Sequence, residues 1–214
     1  MEQGKCTALV GGSFDPVHWG HLHLVHTVVA ATAYRRFIFV PVGRNNFKQE
    51  LAPPIDAEHR VKMLKLGLDA YTQKYPDDPH LEFIIDECEL HRPGISYTYD
   101  TVLYLYKQYA ITNRLALVMG DDLLLSLKQW YEYDTLKKLV RFVVIQRERQ
   151  SRVSFVDDDA QLLYLQNPLF VDSSTMIRTS CKQIGKDEQI PSQITGLMPE
   201  EVAKYVQRHR LYRS

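Results

Sequence analysis

The chain has 214 residues, 45% of them hydrophobic and 24% charged, a globular mix that excludes whole-chain disorder and fibrous structure. Its 26 Lys and Arg balance 26 Asp and Glu, which excludes a broad electrostatic grip on nucleic acid but leaves a local anion site open. The cysteines, Cys6, Cys88 and Cys181, are odd in number and widely spaced, with no C-x-x-C, so neither a disulfide framework nor a zinc knuckle fits.

In chain order, residues 6–10 (CTALV) form an apolar run closed by Gly11-Gly12, which predicts a buried strand and a turn. A helix is expected over 19–33, with Leu22, Val25, His26 and Val29 at helical spacing. Residues 37–42 read as a second strand. Residues 56–71 read as a helix capped by Asp56, with Val61, Leu64 and Leu68 on one face. Strands are predicted over 81–86, 115–119 and 141–146, and a helix over 97–109. The polar segment 148–168 reads as loop with a short helix. Two more helices are expected, over about 175–184 and 199–209, the second opened by Pro199 and Glu200-Glu201. Apolar strands alternating with helices imply an α/β fold: a Rossmann-like open parallel sheet with helices on both faces. Residues 1–214 are read as a single domain with a helical C-terminal portion from about 175.

The first chemical signal is Gly11-Gly12-Ser13-Phe14-Asp15-Pro16-Val17-His18-Trp19-Gly20-His21, at the first strand-to-helix junction. Ligands of open parallel sheets bind outside the carboxyl ends of strands. The glycines let backbone N–H groups approach an anion, and the helix N-terminus adds positive partial charge. His18 and His21 share a face of the first helical turn, whereas His23 and His26 point elsewhere. A single histidine here would be a cap or a surface group. Four histidines within nine residues raise a metal site, but their angular spread suits no single ion. Two histidines beside a glycine turn point to phosphate. The string is neither a P-loop nor a dinucleotide fingerprint.

The second signal is Ser173-Ser174-Thr175-Met176-Ile177-Arg178. A Ser or Thr before a helix is ordinarily a cap. Arg178 in the first turn opposes the helix dipole, which makes sense around a polyanion.

The first string, Gly12 through His21, resembles the G-x-F-D-P-x-H-x-G-H signature of the nucleotidylyltransferase superfamily. Residues 173–178 are similar to its second signature, I-S-S-T-x-I-R, with Asp172 in place of Ile. Ser96-Tyr97-Thr98-x-x-Thr101, Gly120-Asp121-Asp122-Leu123, Trp130-Tyr131 and Arg147 narrow the resemblance to nicotinate-nucleotide adenylyltransferases, over nearly the whole chain to Leu211-Tyr212. The resemblance implies His18, His21 and Arg178 as catalytic. It implies Gly11, Gly12, Ser13, Phe14, Lys48, Ser174 and Thr175 as ATP and phosphate contacts. Thr98, Asp122, Trp130, Tyr131 and Arg147 would hold the acceptor, with the Trp130 face on a pyridine ring. Residues 42–49 depart from the family's P-P-H-K-like stretch. Phe47 stands where His is common, and Lys48 matches the basic position. Arg60 matches another family position and reads equally as a solvated Arg.

The expected reaction is AMP transfer from ATP to nicotinate mononucleotide, giving nicotinate adenine dinucleotide and pyrophosphate. ATP carries Mg2+ as the expected cofactor. The alternatives are nicotinamide mononucleotide or another phosphate acceptor, and a non-catalytic nucleotide-sensing domain. No unmistakable Arg or Lys marks the pocket of the ring substituent, so its charge stays open. ATP and a pyridine mononucleotide are the expected partners, with no nucleic acid and no membrane; a homo-oligomer is left open. With no secretory pattern and no apolar run near a membrane span, a cytoplasmic location is expected.

Overall fold

The structure, a computed structural model, describes residues 6–43, 55–146, 155–167, 174–185 and 188–213. Six strands form one sheet: β1 (Thr7–Gly12), β2 (Arg36–Pro41), β3 (Glu82–Ile85), β4 (Leu115–Gly120), β5 (Val140–Gln146) and β6 (Gln161–Gln166), in the order β3-β2-β1-β4-β5-β6. Every neighbouring pair is parallel, with Ala8, Leu9 and Val10 of β1 opposite Phe37, Ile38 and Phe39 on one side and Ala116, Leu117 and Val118 on the other.

The helices are α1 (Trp19–Ala31), α2 (Ala57–Asp69), α3 (Tyr71–Lys74), α4 (Thr98–Gln108), α5 (Tyr133–Leu139), α6 (Ser174–Lys182), α7 (Ser192–Thr195) and α8 (Glu200–Arg208), with a 3-10 helix over Asp121–Gln129. The period-2 alternation of each strand sends neighbours to opposite faces. Ala8, Val10, Phe37, Phe39, Ala116, Val118, Val143 and Ile145 pack with Leu22, Val25, Met63, Leu64, Ile177 and Val202 from α1, α2, α6 and α8. Leu9, Ile38, Val40, Leu117, Phe142 and Val144 pack with Val102, Leu105, Leu124 and Leu136 from α4, the 3-10 helix and α5. The expected Rossmann-like layering is therefore observed. Among the described residues, no helix is long and apolar enough to cross a membrane.

Several local expectations change. Residues 161–166 are strand β6, not loop or helix. Gln-Leu-Leu-Tyr-Leu-Gln lacks β-branched residues, and its extended state is set by pairing from Arg141↔Gln161 to Gln146↔Gln166. The 3-10 helix and α5 fill a stretch the sequence left unassigned. Asp56 occupies the α2 N-cap, but its side chain makes no capping bond.

The strand order places the candidate site. The connections from β1 to β2 to β3 run one way across the sheet, and those from β4 to β5 to β6 run the other. The reversal falls between β1 and β4, whose carboxyl ends lead into Gly11–His18 and Asp121–Gln129. Such a switch point opens a crevice for a ligand.

Candidate active site

At the carboxyl end of β1, an added Cβ on Gly11 would meet nothing within 4 Å among the described residues, and Gly11 is exposed. Gly12 differs, because a Cβ there would lie 3.0 Å from Cζ of Phe14. Phe14 has φ 50, in the left-handed region that side chains rarely adopt. Its ring is fully buried, 5.9 Å from the Phe39 ring and 5.2 Å from that of His21. The glycine thus makes room for an aromatic wedge that turns the chain toward the histidines. The Asp15–Pro16 peptide is cis.

His18 is the N-cap of α1. Its Nδ1 accepts from the Gly20 N–H at 3.1 Å, and the His21 Nδ1 accepts from the His18 N–H at 3.3 Å. The two imidazoles lie with centroids 3.9 Å apart. A nitrogen that accepts a backbone bond carries no proton, so each neutral ring is protonated at Nε2. Capping therefore uses Nδ1 of each ring and leaves the proton on Nε2. His23 and His26 do stand apart, bonded to the Tyr75 hydroxyl and to Asp78 at 3.0 Å each. Burial, then the neighbouring His26 and Lys74, lowers the His23 pKa from 6.5.

Arg178, in α6, is drawn to the same turn. Its Nη1 donates to the Asp15 carbonyl at 2.7 Å and its Nη2 to Thr175 Oγ1 at 3.2 Å. The Ser174 hydroxyl donates to the Pro16 carbonyl at 2.9 Å, so it serves as a tether between α6 and the β1 turn. Thr175 is exposed. Arg60 is 3% exposed and donates to the Ser13 and Val42 carbonyls, both at 2.9 Å. It is a buried clamp across the ends of β1 and β2, which overturns its reading as a solvated charge.

A second group lies on the other face of the sheet. Tyr97 is the N-cap of α4 and provides no side-chain cap, and Thr98 is the first helical residue. The Tyr97 and Tyr131 rings are 4.6 Å apart, which joins the start of α4 to the Trp130-Tyr131 loop. Trp130 is half-buried against the core of that face, while Tyr131 is exposed. The hydroxyl of Ser96, itself 8% exposed, has no hydrogen-bond partner among the described residues. Behind it, Thr101 donates to buried Glu89 at 2.7 Å, and Arg92 donates to Thr101 at 3.1 Å. This bracket fixes the loop that enters α4.

Asp122 is exposed on the 3-10 helix and is not its N-cap, a position taken by Gly120. Lys48 and Arg147, together with residues 44–49 of the atypical stretch, lie outside the described residues. The contributions of Asp15 and Tyr212 carried no separable signal in the sequence. The Tyr212 hydroxyl donates to Asp15 Oδ1 at 2.7 Å.

The Cytidylyltransferase-like family model matches residues 9–180. A Bacillus subtilis (strain 168) protein named "Nicotinate-nucleotide adenylyltransferase" is 33% identical over 210 residues, covering 98% of this chain and 100% of that protein. A Treponema pallidum (strain Nichols) protein named "Probable nicotinate-nucleotide adenylyltransferase" is 34% identical over 221 residues, covering 97% of this chain and 98% of that protein. A solved structure of Plasmodium falciparum nicotinic acid mononucleotide adenylyltransferase complexed with NaAD matches with a TM-score of 0.72 over 97% of each chain, and its 18% identity speaks for the fold.

Proposed function

The chain belongs to the cytidylyltransferase-like family and, within it, to the nicotinate-nucleotide adenylyltransferases, and from that premise we propose that it transfers AMP from ATP to nicotinate mononucleotide through the residues gathered at the β1–β4 crevice. The observation that carries the reading is the pair of imidazoles with Nδ1 committed to the α1 cap and the proton left on Nε2, at the turn whose Asp15 carbonyl receives Arg178.

The acceptor phosphate is an anion at neutral pH and needs no strong base. Its oxygen attacks the α-phosphorus of ATP in line, the new P–O bond forms, and the bond to the pyrophosphate oxygen breaks. Charge spreads over the α-phosphate oxygens and the leaving group, so the protein acts by positioning and by fixed donors. Nε2–H of His18 and His21 donates to phosphate oxygens. Arg178 holds the leaving pyrophosphate, with Thr175 beside it. The open space at Gly11 and the backbone of Gly12, Ser13 and Phe14 admit the triphosphate. Mg2+ carried by ATP would offset phosphate charge during the transfer; among the described residues, no three His, Cys, Asp or Glu side chains cluster as a metal site. By resemblance, Lys48 is assigned to the triphosphate and Arg147 to the acceptor, where a position at a strand's carboxyl end suits a phosphate contact.

At the acceptor end, the uncapped start of α4 offers N–H groups and a positive dipole end, with the Thr98 and Ser96 hydroxyls beside them. This favours a carboxylate over an amide on the pyridine ring, without any Arg or Lys. Trp130 supplies the ring face, the Tyr131 backbone a further donor, and Asp122 a contact to the nucleotide. The whole chain acts as one catalytic domain, in the cytoplasm.

The test is to incubate the protein with MgATP and nicotinate mononucleotide. Dinucleotide and pyrophosphate in equal amounts are expected. ATP binding with neither product would overturn the reading.

A further inference from the structure

Asp15 is the one carboxylate in residues 11–21, and its side chain is 2% exposed. A carboxylate out of water needs donors or a close cation. Oδ1 accepts from the Tyr212 hydroxyl at 2.7 Å. Oδ2 lies 3.9 Å from Nη1 of Arg178, beyond hydrogen-bond distance. That Nη1 donates instead to the Asp15 backbone carbonyl. Buried carboxylate and guanidinium are thus neighbours that do not close on each other.

The Tyr212 backbone is held firmly. It has φ 65, in the left-handed region, as does Arg210 at φ 51. Leu211 is buried, and its N–H donates to the Val206 carbonyl at 3.1 Å. Arg213 donates to the carbonyls of Gly185 and Glu188 at 2.9 and 2.8 Å. A non-glycine residue keeps such a conformation only where its surroundings impose it. Burial, followed by the Asp15 charge, raises the phenol pKa, so Tyr212 stays a donor at neutral pH.

We propose that Tyr212 is a positioning residue for adenylyl transfer: its hydroxyl satisfies the Asp15 carboxylate, which keeps that charge from closing on Arg178 and leaves the guanidinium facing the phosphate site. The inference rests on the role given above to Arg178. Without the phenol, Arg178 is a cationic donor 3.9 Å from Asp15 Oδ2, and a side-chain rotation would bring the two to a close ion pair of about 2.8 Å. The guanidinium would then be withdrawn from the leaving pyrophosphate.

The test is Tyr212→Phe, read by the separate KM values of ATP and nicotinate mononucleotide and by the affinity of a non-hydrolysable ATP analogue. The expected result is an ATP KM and analogue Kd raised about tenfold, with the mononucleotide KM within about twofold of wild type. Adding Asp15→Asn removes the charge that draws Arg178 inward, so the double variant should bind the analogue within about threefold of wild type. A melting temperature lowered by Y212F with both KM values unchanged would overturn the proposal. So would both KM values rising together, or no rescue in the double variant. If Y212F alone does not fold, the double variant, which leaves no unsatisfied carboxylate at position 15, carries the test: a tenfold or greater loss of analogue affinity overturns the proposal. A wild-type chain that binds the analogue but makes no dinucleotide would overturn the function proposed above. Analogue affinity in the variants would still decide this inference.

Discussion

The proposed mechanism gives His18 and His21 two jobs on two atoms: Nδ1 closes the α1 cap, and Nε2–H donates to phosphate. His18→Asn keeps a cap acceptor and loses the Nε2 donor. It should melt close to wild type while kcat falls about 10²–10³-fold. His18→Ala loses both and should cost a further ~1 kcal/mol of stability, measured by denaturant unfolding. H18N and H18A with equal, small losses of kcat would remove His18 from the mechanism. The two glycines separate in the same way. Gly11→Ala meets open space and should raise the ATP KM without moving the melting temperature. Gly12→Ala presses on Phe14 Cζ at 3.0 Å and should lower both stability and rate. At this scale the motif was legible because cations and glycines broke ordinary helix preferences. The division of labour within each imidazole was not, because a cap and an anion contact select the same residue type. Nor was the Asp15–Tyr212 bond legible, since it joins positions 197 apart.

Elements place these side chains, and one buried arginine sets the geometry between two strand ends. Arg60→Leu would leave the Ser13 and Val42 carbonyls without their guanidinium donor. It should destabilise the chain by about 3 kcal/mol in denaturant unfolding. A loss below about 1 kcal/mol would show that the clamp is dispensable. The seam between α1 and residues 71–78 is pH-sensitive. His23 faces Tyr75, His26 and Lys74, and His26 in turn holds Asp78. The His23 pKa is lowered on folding from 6.5, so above 6.5 both folded and unfolded forms are neutral and nothing is lost. Below it the unfolded chain takes the proton first, and stability falls. Melting temperature should therefore drop as pH falls below 6.5, less steeply in His23→Gln; identical slopes would refute the assignment. Most strands and helices were legible from periodicity, because their apolar faces meet a covered parallel sheet. β6 was not, since an edge strand of Gln and Leu takes its conformation from its partner rather than from its own residues.

For the whole molecule, the sheet's order reverses between β1 and β4, the place where open parallel sheets take their ligands. The β1 turn with α6 carries the groups suited to a triphosphate. The start of α4 with the Trp130-Tyr131 loop carries the groups suited to an aromatic anion. Alternating strands and helices announced the fold. Which loops would meet depended on strand order, which a single sequence does not state. In the proposed function, this crevice joins ATP to the nicotinate form of the mononucleotide, chosen by an uncapped helix end rather than by a cationic side chain. A competition assay tests it most directly: equal concentrations of nicotinate and nicotinamide mononucleotide, one pool of MgATP, and the two dinucleotide products resolved by mass. Product almost wholly in the nicotinate form is predicted. Equal amounts of both dinucleotides, or an excess of the amide, would contradict it.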